Sequence, residues 1–171
     1  CPQGMMRDTI PGYMAQDLQK QLKKQPPIAF KWDKLRNVYD KTSRRDEQME
    51  VAKLMKYCGY AVHMNYATPN KGGSGAYANE IPYALTTYFG YSKTARYVER
   101  ASFNTKTWNN MIYKELSEGR PVLYGGVSPM GGGHEFVCDG YDYGDYFHIN
   151  WGWGGMSDGY FRLFILSPEQ Q

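Results

Sequence analysis

HEFVCDGYDYGDYFHINWGWGG, residues 134–155, is the stretch that decides the fold class. Apolar and polar residues alternate through HEFVCDGY and again through DYFHINW, the period of half-buried strands. The Gly/Asp-rich segment between them reads as a hairpin turning at Asp142–Asp145. PVLYGGV (121–127) before it and GYFRLF (159–164) after it alternate in the same way, so the hairpin grows into an antiparallel sheet.

Upstream the period changes. SRRDEQMEVAKLMKYCGY (43–60) predicts a helix, with Asp46 and Glu47 in its first turn, Met49, Ala52 and Met55 on one face, and Gly59 as a C-terminal stop. A second helix follows the glycine loop of TPNKGGSGAYANEIPYALTTYFGY (68–91), with Asn79 as N-cap, Pro82 in the first turn and Gly90 at the end. A third spans about 105–118 and closes on Gly119. A polar helical stretch is expected near 14–24, and AVHMNY (61–66) alternates like a short strand. Helices first and strands last make an α+β fold with an antiparallel sheet, in a single domain over 1–171.

Composition narrows the function. A net charge of +3 gives no basis for nucleic-acid binding, and KQLKKQ (20–25) reads as a solvated face. No apolar run approaches the ~18–20 residues that cross a bilayer, so no membrane partner is expected. Three cysteines, Cys1, Cys58 and Cys138, with no CxxC spacing argue against a disulfide framework or a zinc knuckle, and each suits a small buried position. His134, Asp139 and His148 could be imagined as metal ligands, but no HExxH or paired-carboxylate spacing supports them. Neither GGSG nor GGVSPMGGG continues into a phosphate-binding loop. No metal and no cofactor is called for.

Among three histidines, His63 reads as a structural or surface residue, and His148 as a strand residue facing solvent or a polar partner. His134 follows GGVSPMGGG, five glycines in nine residues, and opens an apolar strand. An imidazole there is placed for proton transfer near neutral pH. The hairpin returns Asn150 toward the level of His134, where a carboxamide could accept from the ring and set its tautomer. That is the third member of a Cys-His-Asn arrangement. The indoles of Trp151 and Trp153 would exclude water and strengthen the bond. The other reading of NWGWGG is an aromatic plug in a glycine-rich turn.

GGGHEFVCDGYDYGDYFHINWGWGGMSDGYFRL closely resembles the core of the streptopain family of bacterial cysteine peptidases, and SGAYANEIPYALTTYFGY, WNNMIYKELSEGRPVLYGGV and VAKLMKYCGYAVHMNY extend the likeness upstream. The resemblance implies a papain-like α+β fold, a secreted, extracellular bacterial enzyme made as a zymogen, and a protein or peptide substrate with a hydrophobic residue two positions before the cleaved bond. It assigns His134 as general base, Asn150 as its orienting residue and Trp151 and Trp153 as site-shaping residues. It places Gly133 and the loop of Ser74, Gly75 and Ala76 along the substrate groove. The family's nucleophile segment, a Gly-Cys-Val-Ala-Thr-Ala-like helix start, has no counterpart here. Cys1 matches a position one helix downstream of it, Cys58 and Cys138 look like packing residues, and Gly125 stands where relatives can carry Gln. The expectation is an incomplete part of a catalytic domain, with the catalytic cysteine on a missing segment or a second polypeptide. The alternatives are an inactive peptide-binding homologue and a rearranged site that recruits Cys1.

Overall fold

A computed structural model describes residues 6–128 and 132–166, which fall into two compact units divided between Tyr97 and Val98. The first unit contains a short hairpin, β1 (Tyr13–Ala15) and β2 (Lys20–Leu22), then α1 (Arg45–Ala61) and α2 (Ile81–Thr87). The second contains α3 (Thr105–Ser117) and an antiparallel sheet, β3 (Val122–Val127), β4 (Gly133–Asp142), β5 (Tyr146–Asn150) and β6 (Gly159–Phe161), in that spatial order. The class is α+β.

In the first unit the expected helix near 14–24 is a hairpin, with Gln19 at φ 48° in its turn. The stretch has too few apolar residues to cover a helical face, whereas pairing as strands buries both Ala15 and Leu22. The strand expected at 61–66 is also absent. Helix α1 runs through Gly59 to Ala61, and only Asn65 pairs, in an isolated bridge to Gly75. Gly59 is thus no stop. A Cβ there would collide with the Tyr66 hydroxyl, so the glycine lets that ring lie against the helix. Asn79 sits inside a 3-10 turn (Ala78–Glu80) and caps nothing, since α2 begins at Ile81 with Pro82 in its first turn.

Helix α1 is amphipathic in an unusual sense. Its core face carries Tyr57 and Ala61 together with Glu47 and Glu50, while Met49 and Met55 are 61% and 68% exposed. The carboxylates are held inward by partners. Glu50 accepts from the Lys31 backbone N–H at 2.9 Å and the Lys53 ammonium at 2.6 Å. Glu47 accepts from the Arg44 backbone N–H at 2.9 Å and the Arg36 guanidinium at 3.2 Å, bonds that hold its carboxyl below the usual carboxylate range. Apolar burial here comes instead from Met6, Ile10, Phe30, Ala84 and Tyr88 packed around Tyr57 and Ala61.

The second unit follows its sequence closely. Asn104 caps α3 by accepting from Thr107 N–H at 2.8 Å, Gly119 ends it at φ 74°, and Trp108, Ile112 and Leu116 fall four apart on the buried face. They pack on the sheet face built by Tyr124, Phe136, Cys138, Phe147, Ile149 and Phe161. Inside this core the Trp108 indole donates to the Tyr124 hydroxyl at 2.8 Å, which satisfies both polar groups. Between β4 and β5 the register shifts. Asp142, Tyr141 and Gly140 face Tyr146, Phe147 and His148, but Cys138 then faces Ile149 and Val137 faces Asn150. Asp139 is the extra residue of a β-bulge.

Two predictions follow from this packing. Ile149→Ala should cost about 2–5 kcal/mol by opening a void under α3, measured by denaturant unfolding. On α1, Met49→Gln and Met55→Gln should change stability by less than about 0.5 kcal/mol. Glu50→Ala, which removes a buried acceptor, should cost about 1–3 kcal/mol. A helix buried on its methionine face would reverse that order.

Candidate active site

The four strands bring His134, Gly133, Asn150, Trp151 and Trp153 to one end of the sheet in the second unit, whereas Ser74, Gly75 and Ala76 belong to the first. His134 is the second residue of β4 and shares a face with Phe136 and Cys138, because alternate strand residues point the same way. Gly126 lies opposite it on β3, where an added Cβ would meet only open space, so the strand edge beside the imidazole is uncluttered.

The ring is held by its Nε2, which lies 2.8 Å from the Trp151 carbonyl oxygen. A carbonyl can only accept, so Nε2 carries the proton and, in the neutral ring, Nδ1 is the basic nitrogen. Three aromatic side chains flank the imidazole. Trp153 stacks on it at 5.0 Å between centroids and 30° between planes, Phe136 lies at 6.0 Å, and Trp151 at 6.4 Å. Trp151 is buried at 4% exposure, its ring 4.6 Å from Phe136, whereas Trp153 is 40% exposed and forms the outer wall. The backbone explains the bareness of NWGWGG: Gly152, Gly154 and Gly155 have φ of 78°, 67° and 91°, a left-handed region that other residues enter at a cost.

The direct bond expected between Asn150 and the imidazole is not what this geometry contains. The Asn150 carboxamide oxygen accepts instead from the Gly152 N–H at 2.9 Å. The bulge sets the face on which Asn150 stands. Had Asp139 been paired, Asn150 would have stood opposite Cys138, on the same face as His134. The extra residue moves it opposite Val137, and a shift of one flips the side chain to the other face. The Trp151 carbonyl, one residue on, meets the ring in its place. A further acceptor, which no sequence pattern marks out, is Asp158: its carboxylate accepts from the Trp151 N–H at 2.9 Å.

Other candidates are placed elsewhere. His148 Nδ1 pairs with the Asp139 carboxylate at 2.6 Å, on the face of the sheet that the bulge opens. The neighbouring Cys138 points into the core, where burial pushes its thiol up to about 12. His63, at φ 48°, pairs with Glu80 at 2.8 Å. Cys58 is exposed over its residue surface, yet desolvation raises its thiol as well. Both shifts run opposite to the lowered value of a reactive cysteine, while Cys1 lies outside the described residues. Glu135 sends its carboxylate across β3 into the space a Cβ at Gly125 would need, and desolvation there raises its value. Among the described residues no group of three His, Cys, Asp or Glu side chains could hold a metal, and no helix is long and apolar enough to cross a membrane. A cleft of about 570 Å³ lined by Asn109, Tyr113, Tyr141 and Asp145 sits at the turn end of β4, opposite the His134 end, and contains none of the predicted residues.

Raised thiol and phenol values set an alkaline limit on stability. In the folded second unit Cys138 and Tyr124 hold their protons at a pH where the unfolded chain releases them. The unfolded state then binds fewer protons, and stability falls as pH rises. The Cys138 contribution should be fully present below about 9, the ordinary thiol value, and should be lost progressively as pH climbs toward about 12. Cys138→Ala should flatten that part of the profile, measured by unfolding across the range.

The Peptidase C10 family matches this chain over residues 3–161. Streptopain of Streptococcus pyogenes is 38% identical over 140 residues, which are 82% of this chain and 34% of that protein. A thiol protease/hemagglutinin of Porphyromonas gingivalis is 39% identical over 139 residues, 81% of this chain and 16% of that protein. The solved structure of the active wild-type interpain A cysteine protease of Prevotella intermedia superposes with a TM-score of 0.85 at 34% identity, covering 95% of this chain and 68% of that one. A prointerpain A fragment from the same organism gives 0.82 at 34% identity, covering 96% and 52%. The chain therefore spans about a third of the length of the streptopains it matches. Its fold is that of the papain-like cysteine proteases, and by sequence and structure together it belongs to the Peptidase C10 family.

Proposed function

We propose that this chain supplies the histidine side of a cysteine endopeptidase site, acting on protein or peptide substrates by acyl transfer. The observation that carries the reading is the aromatic-walled His134, whose Nε2 is committed to the Trp151 carbonyl so that Nδ1 is the basic nitrogen. A ring fixed in one tautomer and half-buried beside a glycine-lined strand edge is the arrangement a nucleophile needs from its partner. Asn150, Trp151 and Trp153 set and shield that ring; Gly133, beside His134, and separately the Ser74, Gly75 and Ala76 loop of the first unit are proposed as substrate-contacting positions. The family's relatives are bacterial, and a secreted enzyme made as a zymogen fits a peptidase of this kind.

On this reading the nucleophile lies on a segment outside the described residues: Cys138 is fully buried in the core under α3, and the described residues contain no counterpart of the family's nucleophile segment. Its thiol would give a proton to His134 Nδ1, forming a thiolate–imidazolium pair. The sulfur then attacks the scissile carbonyl carbon, the C–S bond forms, and His134 returns the proton to the departing amine as the C–N bond breaks. A water deprotonated by His134 next attacks the thioester, releasing the acid and the thiol.

A peptide epoxide directed at thiols tests the reading, combined with intact mass of the native protein. One cysteine should be labelled, on a segment or second polypeptide outside residues 6–166. His134→Ala should slow that labelling by about 10²-fold or more while leaving the fold intact. If no cysteine of the native protein is labelled, the protein is an inactive peptide-binding homologue instead. If labelling survives His134→Ala unchanged, His134 has no part in the mechanism.

A further inference from the structure

We infer that Asp158 is a positioning residue for the His134 imidazole: together with Asn150 it locks both backbone dihedrals of Trp151, so that the Trp151 carbonyl stays aimed at the ring. This rests on the reading of His134 as the general base.

The carbonyl that accepts from His134 belongs to the peptide joining Trp151 to Gly152. The N–H of that same peptide, on Gly152, is held by the Asn150 carboxamide oxygen at 2.9 Å. The N–H of the preceding peptide, on Trp151, is held by the Asp158 carboxylate at 2.9 Å. Peptide groups are rigid planes, so the only soft rotations between these two are φ and ψ of Trp151. Each plane carries one anchor, and neither rotation remains free. The side chain on the intervening Cα is itself packed, with Phe161 edge-on at 5.6 Å.

Without these anchors the segment would be loose. Gly152, Gly154 and Gly155 all sit at positive φ, and the turn bonds that close the loop, Met156 N–H to the Trp153 carbonyl and Asp158 N–H to the Gly155 carbonyl, are long at 3.4 Å each. Asp158 can act as an anchor because it immediately precedes β6, whose first residue, Gly159, pairs with Ile149 on β5. The carboxylate is thus carried by the sheet that also carries His134. Asn150 adds polarisation, since its bond and that of His134 lie on opposite ends of one peptide, a chain in which each bond strengthens the next.

The test uses the intact peptidase labelled with ¹⁵N-histidine. It follows solvent exchange of the His134 Nε2–H by NMR and, in parallel, kcat and KM on a peptide substrate. Asp158→Ala should speed that exchange at least tenfold and lower kcat by about 10–100-fold, with KM changed less than about threefold. Asp158→Asn, which keeps the acceptor oxygen and loses the charge, should restore both. An Asp158→Ala protein that folds and keeps native exchange overturns the inference. If Asp158→Ala does not fold, Asp158→Asn decides alone. Values within about threefold of wild type support an acceptor role, and a loss beyond tenfold with the fold intact overturns it. Should His134→Ala leave labelling unchanged while exchange still depends on Asp158, the functional reading fails and the clamp stands.

Discussion

One extra residue in β4 determines what reaches the imidazole. The bulge at Asp139 lets Cys138 pair with Ile149, so that both point into the core, and it carries Asn150 to the opposite face of the sheet. Apolar burial therefore selects the register, and the register selects the histidine's partner. A sheet without the bulge would turn the Asn150 side chain to the face that carries His134, opposite Cys138. With it, the ring meets a backbone carbonyl whose direction depends on how the following glycine loop is held. The cost is an unpaired strand residue, offset by keeping Phe136, Cys138, Phe147 and Ile149 together under α3.

A backbone carbonyl and a carboxamide are chemically similar acceptors, and both hold the Nε2–H tautomer. They differ in how they are kept in place. A side-chain amide is fixed by its own rotamer, but a carbonyl is fixed only by the two peptides around it. That explains why a short stretch rich in glycine is flanked by two side-chain acceptors, Asn150 and Asp158, directed at consecutive N–H groups. The glycines provide the left-handed turns that bring Trp153 over the ring, and the two acceptors remove the freedom those glycines introduce.

The second unit was legible in the sequence because its local and long-range signals agree. The helical stretch closing on Gly119 predicts α3 within a residue, Asn104 and the four-residue spacing of Trp108, Ile112 and Leu116 agree with it in the structure, and alternation predicts all four strands. His134 and the two tryptophans stand together at one end of the sheet. The bulge was not legible, since nothing in CDGY distinguishes an unpaired Asp139 from a paired one, and the role of the Trp151 carbonyl was hidden with it. In the first unit the signals conflict. Residues 14–24 are polar enough for a surface helix but pair as strands through two small burials, Ala15 and Leu22. Helix α1 misleads more deeply, because its methionines face outward while paired glutamates face the core, and apolar periodicity carries no information about ion pairing.

The hydrogen bond between His134 and the Trp151 carbonyl is the centre of the site, and a scalar coupling across it can be observed directly. Protein labelled with ¹⁵N in histidine, and with ¹³C at either the Trp151 carbonyl or the Asn150 carboxamide carbon, separates the two acceptors. The predicted result is a through-hydrogen-bond coupling from His134 Nε2 to the Trp151 carbonyl carbon, with none to Asn150. A coupling to the Asn150 carboxamide carbon would contradict it.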